Sequence, residues 1–124
     1  MNKILVVGLG GFLGAMLRYV ISCYCTKWFG SSFPFGTLFV NVAGGLLIGF
    51  IMGAGVSAFA VPANIQLFLT TGILGGLTTF STFSYETVSF FSDGEYFKGS
   101  LNAGLNLFLA LLAVCIGKAI ATML

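Results

Sequence analysis

Charged side chains are almost absent from this sequence of 124 residues. Only 6% of the residues are charged, five of them Lys or Arg and three Asp or Glu, whereas soluble domains contain about 25%. Hydrophobic residues make up 58% of the chain, and the mean hydropathy is +1.09. A soluble domain of this length could not cover its surface with so few charges. We therefore expect a single integral membrane domain over residues 1–124.

The residues that most enzymes and metal sites need are also scarce. Histidine is absent, which excludes imidazole metal ligands and imidazole pH switches. The three cysteines, at positions 23, 25 and 115, form neither an even disulfide set nor a C-x-x-C zinc pattern. The sequence has no paired carboxylates and no nucleophile placed beside a base, so we do not expect an enzyme. A net charge of +2 is too small to indicate nucleic-acid binding.

Four apolar windows are long enough to cross a bilayer, which takes about 20 residues in a helix. They cover roughly residues 4–24, 36–60, 64–91 and 97–123. Only helices and closed barrels can span a membrane, and these windows are too long and too continuously apolar for barrel strands. We predict an all-α membrane protein with four transmembrane helices.

The lysines are balanced between the two sides that these spans would define. With both termini on one side, Lys3 and Lys118 lie on that side, and Lys27 and Lys98 lie on the other. An excess of Lys and Arg normally sets the orientation, so this balance gives no preference. We interpret it as a chain that inserts in both orientations, which would permit an antiparallel dual-topology homodimer.

Glycines recur at a spacing that suits close helix packing. The small-x-x-x-small pattern is found at Gly10/Gly14, at Gly45/Gly49/Gly53 and at Gly72/Gly76. Such pairs let the backbones of two membrane helices approach closely. We therefore expect these positions to form packing faces.

Several polar residues fall inside the predicted spans. Arg18 would lie about 20 Å along the first helix from Lys3, at about 1.5 Å per residue. A charge at membrane depth usually lines water or a pathway, unless it extends to the interface. Asn41 can either join two helices or offer its amide N–H to an anion. Asn102 and Asn106 are four residues apart and share one helical face.

The most unusual segment is GGLTTFSTFSYET at 75–87, where seven of the thirteen side chains carry a hydroxyl. Its Gly-Gly pair predicts a break in the third helix, which a membrane tolerates only where the break is buried or lines a cavity. A break frees backbone carbonyls that can coordinate a hard cation such as sodium. The alternative is an intact helix whose hydroxyl groups bond to its own backbone.

Two aromatic residues and one acid stand within the same segment. Phe80 and Phe83 would project from nearly the same side of the helix, and the edge of an aromatic ring is electron-poor. Ring edges could therefore solvate a small anion weakly enough to let it pass. Glu86 is the only carboxylate before residue 93.

Three blocks of the chain resemble the Fluc (CrcB) family of small membrane fluoride channels. They read GGFLGAMLRY at 10–19, GTLFVNVAGG at 36–45 and TGILGGLTTFSTFSYE at 71–86. The resemblance covers essentially the whole chain, although the fourth span matches by hydropathy more than by motif. It implies an antiparallel homodimer with two fluoride pores in the bacterial cytoplasmic membrane, through which fluoride leaves the cell passively.

The resemblance also implies roles for individual residues. Phe80 and Phe83 would meet fluoride with their ring edges, and Asn41 would be the pore asparagine. Ser81 and Thr82 would supply hydroxyls along the pathway.

Other positions are implied to serve an ion site or the ends of the pathway. The carbonyls of Gly75 and Thr78 from both subunits would bind one structural Na⁺ at the dimer interface. Arg18 would lie near the vestibule, and Glu86 near one end of the pathway. Asn102 and Asn106 depart from the family pattern, but their shared face predicts pore lining.

Two other functions fit a small four-span protein. A multidrug-type exporter of dual topology would need an acid deep in the first span, where this chain has Arg18 and no acid. A structural membrane subunit without transport would leave Arg18 and the hydroxyl-rich segment without a role. We therefore favour the fluoride channel.

Overall fold

The computed structural model describes residues 2–57 and 60–124, and the side chains of residues 2–54 and 60–124. Helix α1 (Lys3–Phe29) begins after Asn2, whose side chain accepts the N–H of Ile4 at 2.9 Å. It ends at Gly30, which has a positive φ of 80° that glycine adopts without strain.

Helix α2 (Phe35–Ser57) follows a short turn. Pro34 starts the helix with its fixed φ, and its carbonyl accepts the N–H of Leu38 at 3.3 Å. Phe33 stacks on Phe90 with 6.2 Å between ring centroids, which ties this turn to the third span. The predicted second span, roughly 36–60, includes residues 58–59, which lie outside the described residues.

The third span, Ala63–Ser92, is not a regular helix. It consists of α3 (Ala63–Leu67), a π-helical segment (Phe68–Leu74), α4 (Gly75–Leu77) and α5 (Ser81–Ser92). Thr78, with φ −80° and ψ 160°, is extended, and helical structure resumes only at Ser81. The predicted broken third helix is confirmed. However, the break follows the Gly75–Gly76 pair rather than falling on it.

Helix α6 (Tyr96–Thr122) returns across the molecule after a turn at Gly94, which has a φ of 77°. It packs along α2 and against α5, while α1 packs along the π-helical segment and α4. Where the helices meet, Val40, Leu74 and Leu77 are buried.

Glycine makes these close approaches possible. A Cβ added at Gly10 would lie 2.6 Å from the Phe68 carbonyl oxygen, and one added at Gly45 would lie 2.8 Å from that of Ala110. Both contacts are with backbone, which cannot move aside. The predicted packing faces are therefore present. The face with Gly10 joins α1 to the third span, and the face with Gly45 joins α2 to α6.

Four helical spans of the described residues are long and apolar enough to cross a membrane. Large apolar side chains on their outer faces, such as Phe12, Phe39 and Phe108, are exposed in the single chain. Such a surface suits lipid and not water. The predicted all-α fold with four transmembrane helices is confirmed, and the antiparallel dimer remains a prediction.

Candidate functional site

A groove of about 710 Å³ lies beside the break in the third span. Residues from α2, from the third span and from α6 line it, and no charged side chain of the described residues is among them. The polar side chains in its wall are Asn41, Thr70, Thr78, Thr79 and Asn106. The groove is thus mostly apolar, with a few convergent hydrogen-bonding groups.

The break is held open by one amide side chain. Asn41 on α2 donates its Nδ2 to the carbonyl oxygen of Thr79 at 3.0 Å. Its Oδ1 accepts the backbone N–H of Thr79 at 2.9 Å. The asparagine amide therefore replaces, for this residue, both backbone bonds that a continuous helix would supply.

Helix α2 can come this close because Gly44 has no side chain. A Cβ at Gly44 would overlap the methyl group of Thr78, the first extended residue of the break. Gly44 is three residues after Asn41 and lies on the same side of α2. The asparagine and the glycine thus act together, one bonding the break and the other making room for it.

Two carbonyl groups at the end of α4 lose their usual partners. In a continuous helix, the N–H of Thr79 would bond to the carbonyl of Gly75, and the N–H of Thr82 to that of Thr78. Here the Thr79 N–H bonds to Asn41, and the Thr82 N–H bonds to the side-chain Oγ1 of Thr79 at 3.2 Å. The carbonyls of Gly75 and Thr78 are therefore released from helical bonding.

The start of α5 carries the aromatic pair. The rings of Phe80 and Phe83 have centroids 5.5 Å apart and planes inclined at 56°. Both line the groove, and Phe80 is 78% exposed in the single chain. Ser81 and Thr82 are also exposed, at the helix N-terminus, where the macrodipole is positive.

A second polar group connects α6 to this site. Asn106 accepts the other amide hydrogen of Asn41 at its Oδ1, 2.8 Å away. Its own Nδ2 donates to the carbonyl and to the Oδ1 of Asn102, at 2.9 and 3.0 Å. Asn102 in turn donates to Thr87 Oγ1 on α5 at 3.0 Å. Three spans are thus joined by side-chain amides.

Glu86 lies away from the groove lining, on the side of α5 that faces the start of α2. Its Oε2 accepts the hydroxyl of Thr37 at 3.1 Å. Its Oε1 is buried, and the described residues offer it no hydrogen-bond partner.

Comparison of the sequence with known proteins shows the family of this chain. The sequence profile of the CrcB-like proteins (camphor resistance, CrcB) matches residues 5–118. The chain belongs to the CrcB family. Its four apolar helices and this membership make it a multi-pass membrane protein.

Relatives named as the fluoride-specific ion channel FluC match nearly the full CrcB chain. The protein of Clostridium perfringens (strain ATCC 13124) is 56% identical over 120 residues, which is 97% of this chain and 94% of the relative. That of Clostridium novyi (strain NT) is 51% identical over 116 residues, covering 94% and 91%. That of Shewanella sp. (strain ANA-3) is 48% identical over 118 residues, covering 95% and 94%.

The fold of this CrcB chain brings most of the predicted site residues to one groove. Its wall includes Asn41, Gly75, Thr78, Phe80, Phe83 and Asn106. Ser81 and Thr82 adjoin it at the start of α5. Asn102 shares a helical face with Asn106, as predicted. However, it is fully buried behind the wall and does not line the groove.

Arg18 is separate from this groove. It is half-buried on α1, one turn beyond Gly14, and among the described residues no hydrogen bond or ion pair to its side chain is seen.

Sequence reasoning missed three threonines. Thr37 bonds to Glu86, Thr79 is the residue that Asn41 holds, and Thr87 connects α5 to Asn102. Thr79 and Thr87 were visible only as members of the hydroxyl-rich segment. Their partners lie on other helices, so spacing along the chain carried no signal for them.

Proposed function

We propose that this chain is a fluoride-selective channel that passes fluoride passively across the cell membrane. The observation that carries the proposal is the broken third span beside an uncharged groove, with ring edges and hydroxyls at the positive end of α5. Relatives of about half-identical sequence are named as fluoride-specific channels, which supports the same assignment. The function would be to lower internal fluoride that entered as HF and was trapped as the anion.

The chemistry of the groove suits a small, strongly hydrated anion. Conduction needs binding that replaces hydration but is weak enough to allow release. Hydroxyls of Ser81 and Thr82 and the ring edges of Phe80 and Phe83 supply partial positive charge without a fixed cation. The dipole of α5 adds to it at the same end. A lysine or arginine in this wall would hold the anion too tightly.

Asn41 has no free amide hydrogen to donate to an anion in this pathway. Both of its amide hydrogens and its Oδ1 are bonded within the protein. We propose that it shapes the pathway wall by holding the break. Arg18 and Glu86 would serve nearer the ends of the pathway, and Asn106 and Asn102 would support its wall.

The released carbonyls of Gly75 and Thr78 fit a structural sodium ion. Carbonyl oxygens freed at the C-terminal end of a broken membrane helix are suitable ligands for Na⁺, and the macrodipole is negative there. A hard cation such as Ca²⁺ takes about 6–8 oxygen ligands, and the two carbonyls of one chain are too few for such a shell. A second copy of the chain would add the equivalent pair and raise the number of carbonyl ligands to four, and we therefore propose that this ion lies at a dimer interface.

An antiparallel homodimer completes the proposal. Phe80 is too exposed in one chain for an aromatic ring that should line a narrow pathway. A second copy packed on the groove would enclose it. The balanced lysines allow the two copies to insert in opposite orientations.

Efflux from liposomes tests the channel directly. Purified protein is reconstituted in vesicles loaded with potassium fluoride, valinomycin is added to carry the counter-ion, and a fluoride electrode records release. We expect rapid fluoride efflux from these vesicles. Vesicles without protein should show only the background leak of fluoride. Folded protein that gives no efflux would refute the channel, and equal release of chloride would refute its selectivity.

A further inference from the structure

Four side chains form a directed chain of hydrogen bonds from the break to α5, which we name the amide ladder: Asn41, Asn106, Asn102 and Thr87. Asn41 Nδ2 donates to Asn106 Oδ1, Asn106 Nδ2 to Asn102 Oδ1, and Asn102 Nδ2 to Thr87 Oγ1, at 2.8, 3.0 and 3.0 Å. Thr87 Oγ1 then donates to the carbonyl oxygen of Phe83 at 2.8 Å. Every donor points the same way.

Backbone groups at several points fix this direction. Asn106 Nδ2 faces the main-chain carbonyl of Asn102, which can only accept, so the nitrogen and oxygen of this amide cannot be exchanged. Asn41 must therefore donate to Asn106, and its Oδ1 must face the N–H of Thr79. At the other end, the single hydroxyl hydrogen of Thr87 goes to a carbonyl, so its oxygen is free to accept from Asn102.

The middle of the ladder is deeply buried. Asn102 has no exposed surface, and Asn106 is 5% exposed. A buried amide is costly unless it is bonded, and bonds in such a chain strengthen one another. Removing one member therefore leaves a neighbour with an unpaired polar atom inside the protein.

We infer that the amide ladder positions the aromatic pair of the proposed pathway. One end holds Thr79, the residue before Phe80, and the other end holds the backbone carbonyl of Phe83. Both ends are supported by α6. Asn102 and Thr87 are thus positioning residues that act on Phe80 and Phe83 without meeting the ion, and this role rests on the proposed channel function.

Substitution of Thr87 tests the inference with little change of shape. Thr87→Val removes the hydroxyl, so Asn102 loses its acceptor and the Phe83 carbonyl loses its side-chain donor, whereas Thr87→Ser keeps both bonds. We expect fluoride efflux to fall about tenfold in the valine variant and to stay within about twofold of the parent protein in the serine variant. Thr122→Val, which removes a hydroxyl-to-carbonyl bond at the far end of α6, is the matched control and should transport normally.

A double variant and a spectroscopic probe separate positioning from general destabilisation. If Asn102 and Thr87 act through one ladder, Asn102→Leu combined with Thr87→Val should lose no more efflux than the worse single variant. In protein with 4-fluorophenylalanine at position 83, Thr87→Val should shift or split the ¹⁹F resonance, and Thr122→Val should not.

The outcomes distinguish the ladder from the channel function. Any one of four results would overturn the positioning role. Two concern single variants: normal efflux in Thr87→Val, or a loss in Thr87→Ser as large as that in Thr87→Val. The other two are losses that multiply in the double variant and a ¹⁹F resonance that Thr87→Val leaves unchanged. Absence of efflux in the parent protein would refute the channel, while the ¹⁹F spectra would still decide whether the ladder sets the environment of Phe83.

Discussion

Asn41 carries more of the site than any other single side chain. Its amide group makes three hydrogen bonds, two to the backbone of Thr79 and one to Asn106. Two of the three partners are acceptors, the Thr79 carbonyl and Asn106 Oδ1. The position therefore requires a donor, and asparagine provides one where an aspartate of the same shape does not.

Asn41→Asp should disable the channel for this reason. The carboxylate would face two acceptors, and each unpaired buried acceptor costs about 1–3 kcal/mol. We expect fluoride efflux to fall about tenfold or more and the melting temperature in detergent to drop. Asn64→Asp, at an exposed position near the start of α3, is the control and should leave both unchanged. Efflux equal to that of the parent protein would contradict the role given to Asn41.

Phe80 offers a test of the ring edge itself. Phe80→Ala removes the aromatic edge but, at 78% exposure in the single chain, little internal packing. We expect efflux to fall about tenfold. Phe108→Ala, at a comparably exposed position on α6 (68%), controls for loss of a large apolar side chain. If both variants transport alike, Phe80 does not line the pathway.

At the scale of elements, backbone contact between helices decides where the break can stand. Gly10 and Gly14 of α1 meet the π-helical segment and Leu77 at the end of α4, and Gly76 meets Gly11. These contacts hold the first half of the third span against α1, so the break begins only beyond them, at Thr78. Gly76 therefore serves packing, and the extended backbone lies two residues further on.

Gly14→Ala should separate α1 from the third span. Its Cβ would overlap the carbonyl of Ile73, and forcing extra atoms into a packed interior costs about 1–3 kcal/mol. We expect a lower melting temperature and reduced efflux. Gly8→Ala, on the same helix with no atom within 4 Å of the added Cβ, should be neutral or slightly stabilising. Equal melting temperatures for the two variants would show that the glycine contact is unimportant.

At the scale of the whole molecule, the lysines are distributed evenly between the two ends. Lys3 and Lys27 lie in the first and last turns of α1, and Lys98 and Lys118 lie near the two ends of α6. Lys98 is paired with Glu95 at 3.4 Å. Helices α1 and α6 thus each carry one lysine near either end, which favours neither orientation.

Removing one lysine should bias insertion. A reporter fused after Leu124 should be found on both sides of the membrane in the parent protein. Lys118→Gln should move it toward the outside, because the side with fewer positive charges is exported. Lys118→Arg keeps the charge and should resemble the parent. A single orientation of the parent protein would contradict the dual-topology dimer.

The sequence by itself determined the properties that depend on local composition. Hydropathy and length indicated four membrane helices, glycine spacing indicated the packing faces, and the GGLTTFSTFSYET segment indicated a broken third helix. Asn102 and Asn106 were also placed on one face by their spacing alone. These inferences hold because helix period and transfer to lipid are set by residues close together in the chain.

Only the tertiary structure decided which groups meet. Asn41 is 38 residues from Thr79 and 65 from Asn106, so its partners depend on how α2 packs against the third span and α6. For the same reason the break lies at Thr78 instead of at the glycine pair, which α1 holds in helical form. From the sequence, the side-chain amide of Asn41 could have been free to bind an anion. In the folded chain, both its nitrogen and its oxygen are bonded to the wall of the groove.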